Sequence, residues 1–404
     1  MIPVTRTAAI AVLACALVLP VAVTAPSHAV PEAPAGSVAA TAPPTGATSS
    51  TALELPRPTG KFAVGSSVHH LADRSRKDPW EPAADARELM ATVHYPAARP
   101  ARPGARTTAY GTVAEARALL KGIGLDAAVP AERLAATRTH SRPGAPPARG
   151  KFPLVVLSPG FSVPRYTLTS IAEDLASRGY VTVSVDHAYE SYGLSVPGGR
   201  LLTCKACTAL DVDGVPASVV TTTRAKDVSY VLDRLTGRHS VWKHSGMIDR
   251  GRIGMAGHSI GGASAATAMV NDRRVLAGIN MDGAFWEDLP PSGLDGRPFM
   301  MLGTDDEVHR PGGLDTTWDR IWPSLDGWKR WLTVTGTDHG SFSDFPLIEA
   351  HFGVPLEPLP AQRSVALVRG YVAAFFDEHL KRKPQPLLAG PSAADPEVNF
   401  HHLP

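Results

Sequence analysis

One stretch restricts the folds open to this chain more than any other: residues 252–266, RIGMAGHSIGGASAA, with Ser259 at its centre. The apolar run 253–256 reads as a strand, and the small residues 261–266 read as the start of a close-packed helix. Between them Gly257-His258-Ser259-Ile260-Gly261 leaves room only for a sharp turn, the spacing of a nucleophile elbow. Such a turn lifts the serine hydroxyl clear of the sheet. Gly257 and Gly261 are needed because a side chain at either would meet the serine or the neighbouring strand. The helix that follows points the partial positive charge of its first turn at a developing oxyanion. A glycine-rich turn with an incidental serine would call for no partners elsewhere. The catalytic reading calls for a base and an acid further along the chain.

The remaining sequence supplies a frame for that turn. PLVVLSP (153–159) is a continuous apolar run of the kind buried on both faces of a parallel sheet. Leu168, Ile171, Ala172, Leu175 and Ala176 fall at helical spacing over 167–178, stopped by Gly179, and YVTVSVD (180–186) is the next strand. A helix over 223–236 carries Val228, Val231, Leu232 and Leu235 on one face. After the elbow come strands at 275–281, 298–303 and 330–336, and an amphipathic helix at 362–382 closes the run. An earlier strand is ELMATVHY (88–95), and Trp318 and Trp322, four apart, read as packing residues. Strands alternating with helices predict an α/β architecture: a doubly wound, mostly parallel sheet with helices on both faces. With the elbow, this is the α/β-hydrolase fold, with an irregular insertion before the oxyanion strand.

The catalytic domain spans 58–384, with order beginning near Phe62. Ahead of it, Arg6, the apolar run 8–23 and Ser27-His28-Ala29 form a signal peptide (1–29) with cleavage near Ala29, so the protein is read as secreted. Anchoring as a lipoprotein at Cys15 is disfavoured, because it would leave a very short apolar region before the cysteine. Residues 30–57, rich in Ala, Pro, Thr and Ser, read as a disordered linker, and 385–404 as a C-terminal tail. The insertion 97–150 holds nine Lys/Arg against three Asp/Glu around short helical pieces at 113–122 and 130–137. It reads as a solvated excursion wrapping the sheet edge, with a flap over the substrate entrance or a patch attracted to anionic surfaces as the other possibilities. Cys204 and Cys207 read as a small disulfide in a surface loop rather than a redox pair, which would sit at the start of a helix after a strand. No zinc or other metal set stands near them in sequence. Net charge is +2, from 40 basic against 38 acidic residues, so no overall field favours nucleic acid.

In this fold the triad follows the chain order Ser, Asp or Glu, His, each on a loop after a strand. His339, in GTDHGSF (336–342), follows the last strand and is the candidate base; His258 beside the serine reads as structural. For the acid, Asp282 ends the first strand after the elbow, while Asp305 and Asp306 end the second and stay as alternatives. The oxyanion donors are the backbone N–H groups of Ile260 and, after Ser158-Pro159-Gly160, of Phe161.

Together LSPGF, GHSIGG, NMDGAF and GTDHGSFSDF make residues 85–380 resemble the secreted and lipoprotein-associated platelet-activating-factor acetylhydrolase family and bacterial extracellular lipases and esterases. The resemblance implies Asp282 as the acid and Phe161 with Ile260 as oxyanion donors. Pro159, where the family often has His, and the Cys-x-x-Cys insertion depart from the pattern and bear on substrate preference. The expected protein is a secreted serine esterase acting on short-acyl or phospholipid-type esters, with no cofactor, a small-molecule or lipid ester as its partner and transient contact with lipid surfaces. A lipase or cutinase-like polyester hydrolase is the alternative, and a catalytically silent hydrolase-fold binding protein the third reading.

Overall fold

Every residue of the strand Phe152–Ser158 is buried, as its unbroken apolar run requires, and the sheet is built outward from it. The structure, a computed structural model, describes residues 52–99, 106–354 and 357–402. Its strands are β1 (Ala63–Asp73), β2 (Arg87–Ala97), β3 (Arg142–Pro143), β4 (Phe152–Ser158), β5 (Val181–His187), β6 (Leu194–Val196), β7 (Arg200–Leu202), β8 (Ile248–His258), β9 (Val275–Met281), β10 (Phe299–Thr304), β11 (Lys329–Val334) and β12 (Val398–His401). The α-helices are α1 (Val113–Gly122), α2 (Ala131–Ala135), α3 (Thr169–Ser177), α4 (Lys205–Asp211), α5 (Ser218–Thr236), α6 (Ile260–Asn271), α7 (Thr316–Ile321), α8 (Phe345–Phe352) and α9 (Ala361–Lys381).

Ten strands form one sheet in the order β12-β11-β10-β9-β8-β4-β5-β2-β1-β3, and β6 with β7 form a separate hairpin. From β5 to β11 the neighbours run parallel, whereas β2 on β5, β1 on β2 and β12 on β11 are antiparallel. Helices α5, α6 and α7 fill one face through Val228, Leu232, Ala265 and Trp318. On the other face α3 and α9 pack Ile171, Leu175, Val372 and Phe375 against Val155, Ala256 and Ile279. This is the doubly wound α/β-hydrolase architecture. Parallel strands carry their loops at one edge, so the turns after β4, β8 and β9 and the chain after β11 come together there.

Four sequence expectations change. The last part of the supposed linker is ordered: Leu53 and Leu55 are buried, and Arg369 donates to the carbonyls of Pro56 and Arg57. The insertion is not merely solvated. Leu119, Leu120 and Leu134 form a hydrophobic core with Tyr166, Ile348 and Phe352, and β3 pairs with β1 at the sheet edge. The strand β1 escaped the sequence reading because Ser66, Ser67, His69 and His70 interrupt any apolar run. The C-terminal tail is part of the sheet through β12. The expected signal peptide, its cleavage site and Cys15 lie outside the described residues. Among those described, no helix is long and apolar enough to cross a membrane.

Candidate active site

Strand β8 delivers Ser259 to the loop edge of the sheet in the left-handed region, at φ 55° and ψ −130°. A non-glycine residue held there costs on the order of 1–3 kcal/mol, so the surroundings must fix it. They do: the Ser259 N–H donates to the Met281 carbonyl (2.7 Å), and its own carbonyl accepts from Gly262 (2.8 Å). A Cβ on Gly257 would lie 2.1 Å from the Gly261 carbonyl, and one on Gly261 would lie 2.2 Å from the Ser158 oxygen. Both glycines are therefore demanded by backbone contact, Gly257 with the helix and Gly261 with β4. The serine remains partly exposed.

Asp282 and His339 meet beside it. Asp282, at φ 61°, ends β9, and its Oδ2 lies 2.6 Å from His339 Nδ1. Its Oδ1 accepts from the Thr304 N–H (2.6 Å). Burial pushes this carboxyl up, but the His309 charge, the His339 hydrogen bond and the Thr304 amide outweigh it and hold the group well below the usual carboxylate range. Gly283 presses against the Ser259 turn, where a Cβ would sit 2.0 Å from the Ser259 carbonyl oxygen. The His339 side chain is 57% exposed. Its ring centroid lies 4.7 Å from that of His258, whose Nε2–H donates to the His339 carbonyl (2.7 Å). Burial, then the His339 charge, push His258 down to about 3, so it stays neutral while it braces the other ring. Among the described residues the Ser259 hydroxyl has no hydrogen-bond partner; such bonds often tighten only when substrate is present.

The alternative acids lie elsewhere. Asp305 faces Arg310, Thr333 and Thr335, and Asp306 caps the following turn through the Val308 and His309 N–H groups. Neither contacts His339. The structure instead adds a residue that sequence reasoning passed over: His309 Nδ1 lies 3.3 Å from Asp282 Oδ1 and 3.2 Å from Asp306 Oδ1. It packs edge-on against the buried Trp318. Only its place after a strand end could have flagged it.

The two expected oxyanion donors lie on the turns that follow β4 and β8. Ile260 is the first residue of α6, so its N–H has no acceptor within the helix. Phe161 follows Gly160, which passes so close to His258 that a Cβ there would lie 3.0 Å from Nδ1. Both side chains join Trp80, Ala206 and Val220 in an apolar cluster that includes Cys204. Cys204 and Cys207 form a disulfide, as expected, but the pair caps α4 after β7 instead of lying in an irregular loop. The expected reason against a redox role therefore fails: the bridge ties the N-cap of a short helix to its own first turn, and Cys204 packs with the apolar cluster beside Phe161 and Ile260.

A cavity of about 340 Å³ lies away from this centre, between the polar face of β1 and β2 and the insertion; Ser66, His94, Tyr110 and Tyr166 line it, and no triad candidate does. Among the described residues no group of His, Cys, Asp and Glu is arranged to hold a metal ion.

A family model described as platelet-activating factor acetylhydrolase, isoform II, matches residues 129–196 and 226–354. A probable 1-alkyl-2-acetylglycerophosphocholine esterase of Arthroderma benhamiae is 30% identical over 380 residues, covering 86% of this chain and 93% of that protein. A bis(hydroxyethyl) terephthalate hydrolase of Streptomyces coelicolor is 29% identical over 44% of this chain and 50% of its own length. Among solved structures, a ferulic acid esterase from Streptomyces cinnamoneus is 43% identical, with a TM-score of 0.76 over 87% of this chain and 99% of that one.

Proposed function

The chain belongs to the platelet-activating factor acetylhydrolase family and is a carboxylic-ester hydrolase, and from that premise we propose that it works through Ser259, His339 and Asp282 by an acyl-enzyme mechanism. Ser259 Oγ attacks the ester carbonyl carbon while His339 takes its proton. Asp282 holds the imidazole and stabilises its charge. The Phe161 and Ile260 N–H groups receive the oxyanion. Collapse of the tetrahedral intermediate expels the alcohol with the proton from His339, and water, activated by the same imidazole, releases the acid. The observation that carries this reading is the 2.6 Å contact between His339 Nδ1 and Asp282 Oδ2 next to a serine held in a strained turn.

We assign small acyl esters as the substrates. A second reading, aromatic acyl esters, is favoured by the 43% identity to a ferulic acid esterase and by Trp286, 38% exposed on the loop that follows Asp282. Mass spectrometry after fluorophosphonate treatment tests the mechanism: one adduct, on Ser259, is expected, and none on folded protein would leave a binding protein. Rates on p-nitrophenyl acetate, butyrate and palmitate and on methyl ferulate then sort the substrates, with a long-chain optimum pointing to a lipase. Export through residues 1–29 is part of the same proposal, checked by sequencing the N-terminus of secreted protein for a start at Val30.

A further inference from the structure

We infer that Arg224 is the positioning residue of the oxyanion hole: buried beneath the loop after β4, it holds the Pro159 and Gly160 carbonyls down and so turns the Phe161 N–H toward Ser259. The inference rests on the reading of Ser259 as nucleophile and Phe161 as donor.

Arg224, on α5, is 1% exposed. Its Nη1 lies 2.5 Å from the Pro159 oxygen and 3.2 Å from Ser158 Oγ, and its Nη2 lies 3.4 Å from the Gly160 oxygen. The described residues contain no cis peptide, so the Gly160 carbonyl and the Phe161 N–H point in opposite directions across one plane. Anchoring the carbonyl on the buried side leaves the N–H facing the other way, and among the described residues that N–H has no acceptor. Arg224 Nε donates to Glu190 Oε2 (2.7 Å), which neutralises it. Glu190 also pins the far end of the loop, because its carbonyl accepts from Ser162 (2.9 Å), a residue at φ 65°.

A second set of Ser, His and Asp lies under the loop. Ser158 Oγ is 3.1 Å from His187 Nε2, and His187 Nδ1 is 2.7 Å from Asp227 Oδ2. With exposures of 0%, 2% and 0%, no substrate reaches these residues. An arginine can only donate, so the bonds run one way: Arg224 to Ser158, Ser158 to His187, His187 to Asp227. Arg87 closes the ring on Asp227 (2.8 Å) and Glu190 (2.6 Å). A planar fork reaches two carbonyls, a hydroxyl and a carboxylate at once; a lysine ammonium cannot span them.

The test is R224K in the full chain beside wild type. With p-nitrophenyl acetate, kcat per active site (counted by phosphonate titration) is expected to fall about 10- to 100-fold while KM stays within about twofold. Inhibition by methylboronic acid, which presents an anionic tetrahedral adduct, should weaken by the same factor. Unchanged kcat and boronate affinity in folded R224K would overturn the inference, as would a rise in KM alone. Should R224K not fold, R224Q is read the same way; loss of the fold in both would make Arg224 a folding residue and overturn it too. Inactive, unlabelled wild type would instead sink the esterase reading itself.

Discussion

His339 Nδ1 lies 2.6 Å from Asp282 Oδ2, while Asp305, one strand further along, is turned onto Arg310 and two threonines. A carboxylate that orients the base must touch it, so the two aspartates predict opposite outcomes. Asp282→Asn is expected to lower kcat by about 10³–10⁴-fold, because an amide can favour the wrong imidazole tautomer. Asp305→Asn should change kcat by less than about threefold and act on stability instead. Steady-state rates of the two variants decide it, and a severe Asp305→Asn would move the acid to β10.

His309 is expected to assist Asp282 from its other side. Its charge is the first of the influences that offset burial and keep the Asp282 carboxyl low. Gln at 309 retains a donor but never a charge, so His309→Gln should lower kcat about fivefold, roughly 1 kcal/mol, with KM unchanged. Wild-type kcat in that variant would reduce His309 to a packing residue against Trp318.

Glu349, on α8, gives stability a pH dependence of known sign. Burial first, then the Asp338 and Glu357 charges, push its carboxyl up to about 8, and Oε2 has no hydrogen-bond partner among the described residues. The folded chain therefore keeps a proton that the unfolded chain releases near the ordinary value of about 4.3. Stability from this group is intact below that value and is lost as pH climbs toward 8. Relative to Glu349→Gln, the wild-type unfolding midpoint should match at pH 4.5 and fall a few degrees behind by pH 8.5. Parallel melting curves across that window would refute the buried neutral acid.

The Cys204–Cys207 bridge closes only a short loop, for which the chain-entropy account gives about 2 kcal/mol. In a protein of this size the serine double variant should melt roughly 3 °C lower. Protein beginning at Val30, denatured without reductant, should show no free thiol by titration. Two thiols per chain would remove the bridge.

How much of this was legible depended on whether a residue's reason is local. Gly257 and Gly261 are dictated by a turn five residues long, and His339 by chain order, so all three could be read directly. Asp282 and Asp305 could not be told apart from spacing, since each ends a strand; the choice is made by which carboxylate faces the chain after β11. In the sequence alone, nothing sets Arg224 apart from the other polar positions of the helix over 223–236. Its burial depends on Glu190, 34 residues away in sequence, which meets it only once the sheet is wound. The cysteine pair was recognised, but its helix was not, because β7 is only three residues long and α4 only seven.

The great sheet ends on one side with four residues, Val398–His401, and on the other with two, Arg142–Pro143. An open edge strand offers unpaired amides to any other chain, and short outer strands are one way proteins deny that template. The C-terminal segment thus guards solubility: a chain stopped before Val398 would leave Lys329–Val334, with Trp331 and Leu332, as a bare rim on which a second molecule could extend the sheet.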